Sequence, residues 1–146
     1  MNNINQATVH TISTVALAKA AKYALAFLWV FTGLTSMFFS PDIGYEILAN
    51  ADINGVFAEV AIYAGGALDI LLGLWLLSSI KSPLCCIMQV SVITLYTLLL
   101  TVIDASFWLH PFGPITKNIP IIILIAYVYV NSINDHSTHE KLSVNT

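Results

Sequence analysis

The sequence predicts an all-α integral membrane protein: a four-helix bundle that runs up, down, up and down, with both termini in the cytoplasm. Three observations carry that expectation. Of 146 residues 58% are hydrophobic and only 9% are charged, with no arginine, and the mean hydropathy is +0.82; so small a soluble fold could not hide that much apolar surface. The apolar residues are gathered into four runs, 23–39, 57–77, 83–103 and 119–130, separated by short polar links. None of the runs shows the sustained polar–apolar alternation of a membrane β-barrel.

Each element follows from local chemistry. Residues 1–17 form a polar N-terminal segment rich in Thr and Asn, and Ser13 or Thr14 can cap the helix that follows. The first helix is expected at about 18–39. Its run is longer than the apolar core of a cleaved leader, so it is expected to be retained. The second helix is expected at 56–78 and the third at 83–104, each close to the 20 or so residues that cross a hydrocarbon core of about 30 Å. The fourth, at 118–133, reaches only about 24 Å, so the bilayer must thin there or the preceding loop must dip in. Helices 18–133 make one domain, and 134–146 is a polar cytoplasmic tail in which His136 and His139 are incidental.

Orientation comes from the lysines. Lys19, Lys22, Lys81 and Lys141 fall on one side and Lys117 alone on the other, so both termini are expected to be cytoplasmic. The outer side then receives an acidic loop with Asp42, Glu46 and Asp52, and the loop from Asp104 to Asn118. Five scattered lysines make no basic patch, which sets nucleic acid aside. Cys85 and Cys86 are adjacent, unlike a CxxC dithiol, and read as small apolar packing residues.

Asp69 is the residue that the membrane reading makes conspicuous. At the centre of a spanning helix an acid costs roughly 2.5–3.5 kcal/mol on insertion scales, so it is expected to be neutral, tethered to another helix, or functional. Gly65, Asp69 and Gly73 recur every four residues and share a face, with Gly66 beside them, as in a small-xxx-small packing strip with an acid in its middle. Counting helix rise brings Thr32, Gln89, Ser91 and Tyr127 to about the depth of Asp69, together with Gly33. None is cationic. A neutral Asp69 can therefore donate a hydrogen bond to Thr32 or Tyr127, or to the oxygen of a quinone-like molecule.

A second polar layer is expected at the outer surface, where Glu59, Asp104, His110 and Lys117 fall at comparable height. These residues have no recognised metal-ligand spacing, and no metal site is assigned. The stretch Phe107-Trp108-Leu109-His110-Pro111-Phe112-Gly113-Pro114-Ile115-Thr116-Lys117-Asn118-Ile119-Pro120 is the strongest local signature. Pro111, Gly113 and Pro114 fix a compact non-helical path, and Trp108 and Phe112 suit the interface between water and lipid. Asn118 can cap the last helix, while Pro120 is tolerated in its first turn.

At these residues the chain resembles the DoxX-like family of small four-helix membrane proteins. The resemblance rests on His110-Pro111-Phe112-Gly113-Pro114 with Lys117-Asn118-Ile119-Pro120, on Gly66-Ala67-Leu68-Asp69-Ile70-Leu71-Leu72-Gly73, and on Trp29 with Gly33. It covers roughly residues 20 to 133. Where some relatives carry a lysine toward the outer end of the first helix, this chain has Thr35 and Ser36. The resemblance implies an inner-membrane bundle engaged in membrane redox work, such as quinone-linked oxidation of sulfur compounds or assembly with a redox partner.

The expected function is accordingly that of a small membrane subunit or accessory protein of a redox process, with a lipid-accessible pocket, near Asp69 or at the loop that carries Trp108, Phe112, Lys117 and Asn118, that admits a quinone-like or other lipophilic ligand. No intrinsic cofactor is expected, because there is no GxGxxG and no paired intramembrane histidines for haem. A cofactor-bearing partner subunit would supply the redox group, and a homo-oligomer is the other assembly considered. The alternatives are a structural or assembly protein in which Asp69 only locks helices, and a small-molecule carrier or lipid-modifying isomerase using Asp69 and Glu59 as acids or bases.

Overall fold

The computed structural model describes residues 2–78, 80–109 and 115–144, and within them the side chains of 14–134. Pro111, Phe112, Gly113, Pro114 and His110 therefore lie outside the described residues. All regular structure among those described is helical: α1 (Asn2–Leu34), which widens into a π-helical end at Thr35–Phe39, α2 (Pro41–Ala49), α3 (Val56–Ser78), α4 (Ser82–Ile103), a 3₁₀ turn at Ala105–Trp108, and α5 (Asn118–Val144). The region 14–39, α3 and α4 are each long and apolar enough to cross a bilayer. The apolar part of α5, Asn118–Asn134, is shorter, as its sequence predicted.

Two boundaries differ from the sequence-based expectation. Helix α1 starts at Asn2 rather than near residue 18, and α5 continues to Val144 rather than ending near 133, so the polar segments at both ends extend the helices. Residues there are Ala-, Gln-, Glu- or Lys-containing with no Gly or Pro, and nothing in them stops a helix once packing has nucleated it. The acidic loop with Asp42, Glu46 and Asp52 is likewise partly helical. In α2, Pro41 occupies the first turn and Asp42 lies near the positive end of the helix dipole.

Helices α1 and α3 approach each other closely because glycine removes the side chain where they cross. A Cβ on Gly33 would collide with the backbone carbonyl of Gly66 and lie 2.8 Å from Ile70 Cγ1. One on Gly73 would lie 2.7 Å from Val30 Cγ2 and 2.9 Å from the Ala26 carbonyl oxygen. Gly66 is covered by Met37 from the widened end of α1. In lipid, where apolar contacts gain nothing by leaving water, this closeness and the dispersion contacts it permits are what hold helices together.

The core draws on four helices: Leu25, Ala26 and Trp29 of α1, Leu72 and Leu76 of α3, Cys85, Val92 and Ile93 of α4, and Ile125 and Val128 of α5. Outward-facing positions are as apolar as the inside. Phe27 and Phe31 stack on the outside of α1 with centroids 5.5 Å apart, and Leu71, Leu74, Leu95, Leu98 and Val102 are exposed on α3 and α4. Such a surface is stable only against hydrocarbon. The α3–α4 link is tight: Trp75 donates its indole N–H to the Ile80 carbonyl at 2.8 Å, Lys81 adopts a left-handed conformation (φ 47), and Pro83 sits in the first turn of α4.

The α1–α3 crossing makes a direct prediction. Gly33→Ala must push two backbones apart and should destabilise the protein by about 1–3 kcal/mol, whereas Gly66→Ala displaces mainly the flexible Met37 side chain and should cost less. Unfolding of the two variants in lipid nanodiscs checks the order; equal losses would contradict it.

Candidate functional site

Asp69 lies in the middle of α3 and is 5% exposed. Its Oδ1 is fully enclosed and accepts no hydrogen bond, the one such buried side-chain oxygen or nitrogen among the described residues. The tether to another helix that would have explained an acid here is not made among the described residues.

The glycines around it divide between two neighbours instead of lining one face. Gly66 and Gly73 meet α1 through Gly33, Met37, Ala26 and Val30. Gly65 meets α4, where a Cβ would stand 3.0 Å from the hydroxyl of Tyr96. A strip with four-residue spacing drifts around a helix by about 40° per step, so Gly65 and Gly73 end up under different partners. The Asp69 carboxyl is within electrostatic reach of the Tyr96 phenol, though no hydrogen bond joins them. Sequence reasoning missed Tyr96 because depth counting stopped at Ser91 and Val92; a tyrosine one turn further out reaches back along the helix axis.

The other residues expected near Asp69 are elsewhere engaged. Gln89 is 0% exposed; its Oε1 accepts from the Trp29 indole N–H at 2.9 Å, and its Nε2 donates to Cys85 Sγ at 3.3 Å. Cys85 in turn donates to the Leu72 carbonyl at 3.7 Å, so a buried polar chain crosses from α1 through α4 to α3. Cys85 is therefore more than the inert packing residue expected, whereas Cys86 is buried without a hydrogen bond of its own. Thr32 and Ser91 sit on exposed helix surfaces, and the Ser91 hydroxyl donates to Ile87 of its own helix at 3.0 Å. Tyr127 reaches the Thr14 carbonyl at 3.4 Å, near the opposite end of α1 from Gly33.

At the C-terminal end of α4 the structure ties the following loop back to that helix. Asn118 donates to Thr97 Oγ1 at 2.8 Å, Thr97 accepts at its carbonyl from Thr101 at 2.6 Å, and Trp108 donates to Thr101 Oγ1 at 3.0 Å. Asn118 thus bridges to α4, where the sequence suggested a cap for its own helix. Asp104 caps the 3₁₀ turn by accepting from the Ser106 amide at 2.8 Å, and the Ser106 amide and hydroxyl hold its carboxyl below the usual carboxylate range. Glu59 is exposed and adds to the burial that raises the Tyr45 phenol, so Glu59 and Asp104 serve different neighbours. Lys117 and Pro120 are exposed, and Ile115 beside them is buried. Among the described residues no group of three or more His, Cys, Asp or Glu side chains is placed to hold a metal ion.

Apolar helices of spanning length around one buried, unpartnered acid define a small helical membrane protein. The family model of the DoxX-like family matches residues 26–126, well over half of the sequence, and the chain belongs to that family. No curated protein and no solved structure matches the chain.

The Trp29–Gln89 bond is testable by itself. Gln89→Leu strands the buried indole N–H and should cost about 1–3 kcal/mol, while adding Trp29→Phe should recover part of that loss. A double-mutant cycle by unfolding in nanodiscs measures the coupling; strict additivity would rule the bond out.

Proposed function

We propose that the protein is a small bacterial inner-membrane subunit or accessory protein of a redox process, and that it holds a quinone-like lipophilic molecule within its helix bundle at Asp69. In this reading α1, α3, α4 and the apolar part of α5 are the four spans, up, down, up and down. Four of the five lysines favour both termini in the cytoplasm. The redox group itself belongs to a partner subunit. Membership of the DoxX-like family supports a membrane setting, and the enclosed, unpartnered oxygen of Asp69 is the observation that carries the site.

The chemistry follows from what Asp69 lacks. Native proteins give nearly every buried polar atom a partner, because leaving one unmade costs about 1–3 kcal/mol. An orphan acid inside a helix bundle is therefore a place where a partner arrives from outside the chain. In its neutral form the acid offers one O–H donor, suited to a carbonyl oxygen on a molecule otherwise as apolar as the lipid. An assembly protein without a site would gain stability by replacing Asp69 with leucine and would lose nothing.

Asp69→Leu separates these readings. Equilibrium binding of a decyl-substituted benzoquinone to the protein in nanodiscs, corrected for partitioning into empty discs, should weaken at least tenfold, while resistance to unfolding is unchanged or raised. Unaltered quinone binding in the variant would contradict the proposal and favour the assembly role.

A further inference from the structure

Tyr96 stands at the lipid-facing edge of the site. Its hydroxyl comes down over Gly65, one helical turn from Asp69, and glycine at that position leaves room for the phenol tip that reaches across from α4. The flanking Leu68 and Leu95 are exposed, Leu95 by 55%, so this seam opens on the bilayer, whereas the opposite side of α3 is sealed by α1 at Gly33, Gly66 and Gly73. Tyr96 is half-buried and its hydroxyl forms no hydrogen bond among the described residues. Behind it lies Asp69, more than nine-tenths buried with Oδ1 unpartnered.

We propose that Asp69 and Tyr96 form a two-donor clamp for one carbonyl oxygen of a neutral lipophilic molecule, which enters from the bilayer between α3 and α4. Resting on the reading of Asp69 as a ligand position, the clamp adds the second contact, the route and the ligand class. A phenol donates to one lone pair of a carbonyl oxygen and a neutral carboxylic acid to the other, so the pair selects an acceptor. Displacing Tyr96 from Gly65 also clears the seam, and the phenol that covers the entrance when the site is empty becomes a ligand contact when it is filled.

The test compares wild type, Asp69→Leu and Tyr96→Phe in nanodiscs, titrated with a decyl-substituted benzoquinone and with decylbenzene, which has the same tail and no carbonyl. Wild type should prefer the quinone, Tyr96→Phe should weaken quinone binding about fivefold, the worth of one neutral hydrogen bond, and decylbenzene should be indifferent to both substitutions. The infrared carbonyl band of the bound quinone should move to higher frequency in Tyr96→Phe, a readout that a packing defect does not shift. If Asp69→Leu loses quinone binding but Tyr96→Phe keeps the affinity and the band of wild type, the clamp is wrong and the Asp69 site stands. Failure of wild type to prefer the quinone over decylbenzene overturns both.

Discussion

The contact between the backbones of α1 and α3 governs what the rest of the molecule can do. Gly33 against Gly66, and Gly73 against Ala26 and Val30, bring two helices together without intervening side chains. That proximity fixes the height of Trp29, which must meet Gln89 across the bundle, and it closes one whole side of α3. Because the chain has few charges and no water-driven core, shape carries the association, and a single methyl group at Gly33 meets backbone. Asp69 lies on the same helix between Gly66 and Gly73, the two glycines on which α1 presses.

Polar groups in the interior follow two different rules. Trp29, Gln89 and Cys85 satisfy one another and end on the Leu72 carbonyl, a closed chain that ties three helices and leaves no atom wanting. At the C-terminal end of α4 Thr97, Thr101, Trp108 and Asn118 do the same for the loop that precedes α5. Asp69 breaks the rule one turn from the first network, whose Gln89 is committed to Trp29 and Cys85. Among the described residues, where the other buried side-chain oxygens and nitrogens have partners, this exception is what the proposed ligand would satisfy.

Much of this was legible from residue order. The apolar runs located α3 and α4 to within a residue or two, the short fourth run matched Asn118–Asn134, and Asp69 stood out because an acid in hydrocarbon has few explanations. The motif around His110 and Lys117 pointed to the family to which the chain belongs. What could not be read were the side-to-side relations. Helix-rise arithmetic gives depth but not azimuth, so it grouped Thr32 and Ser91 with Asp69 although both are exposed, and it set Gly65 and Gly73 on one interface although they serve two. Tyr127, expected near the acid, bonds to Thr14 instead, while Tyr96, to which depth counting gives no role, is the tyrosine that reaches the acid's neighbourhood, because a long side chain acts a full turn away from its own Cα.

The account stands or falls on whether the free oxygen of Asp69 meets a ligand. Isotope-edited infrared spectroscopy of protein labelled at its aspartates, in nanodiscs, can follow the carboxyl band of Asp69, assigned by its disappearance in Asp69→Asn. A hydrogen bond to an incoming carbonyl should shift that band when the decyl-substituted benzoquinone is added, and decylbenzene should leave it in place. A band that does not move at quinone concentrations saturating the protein would show that Asp69 holds no ligand there and that its burial has another cause.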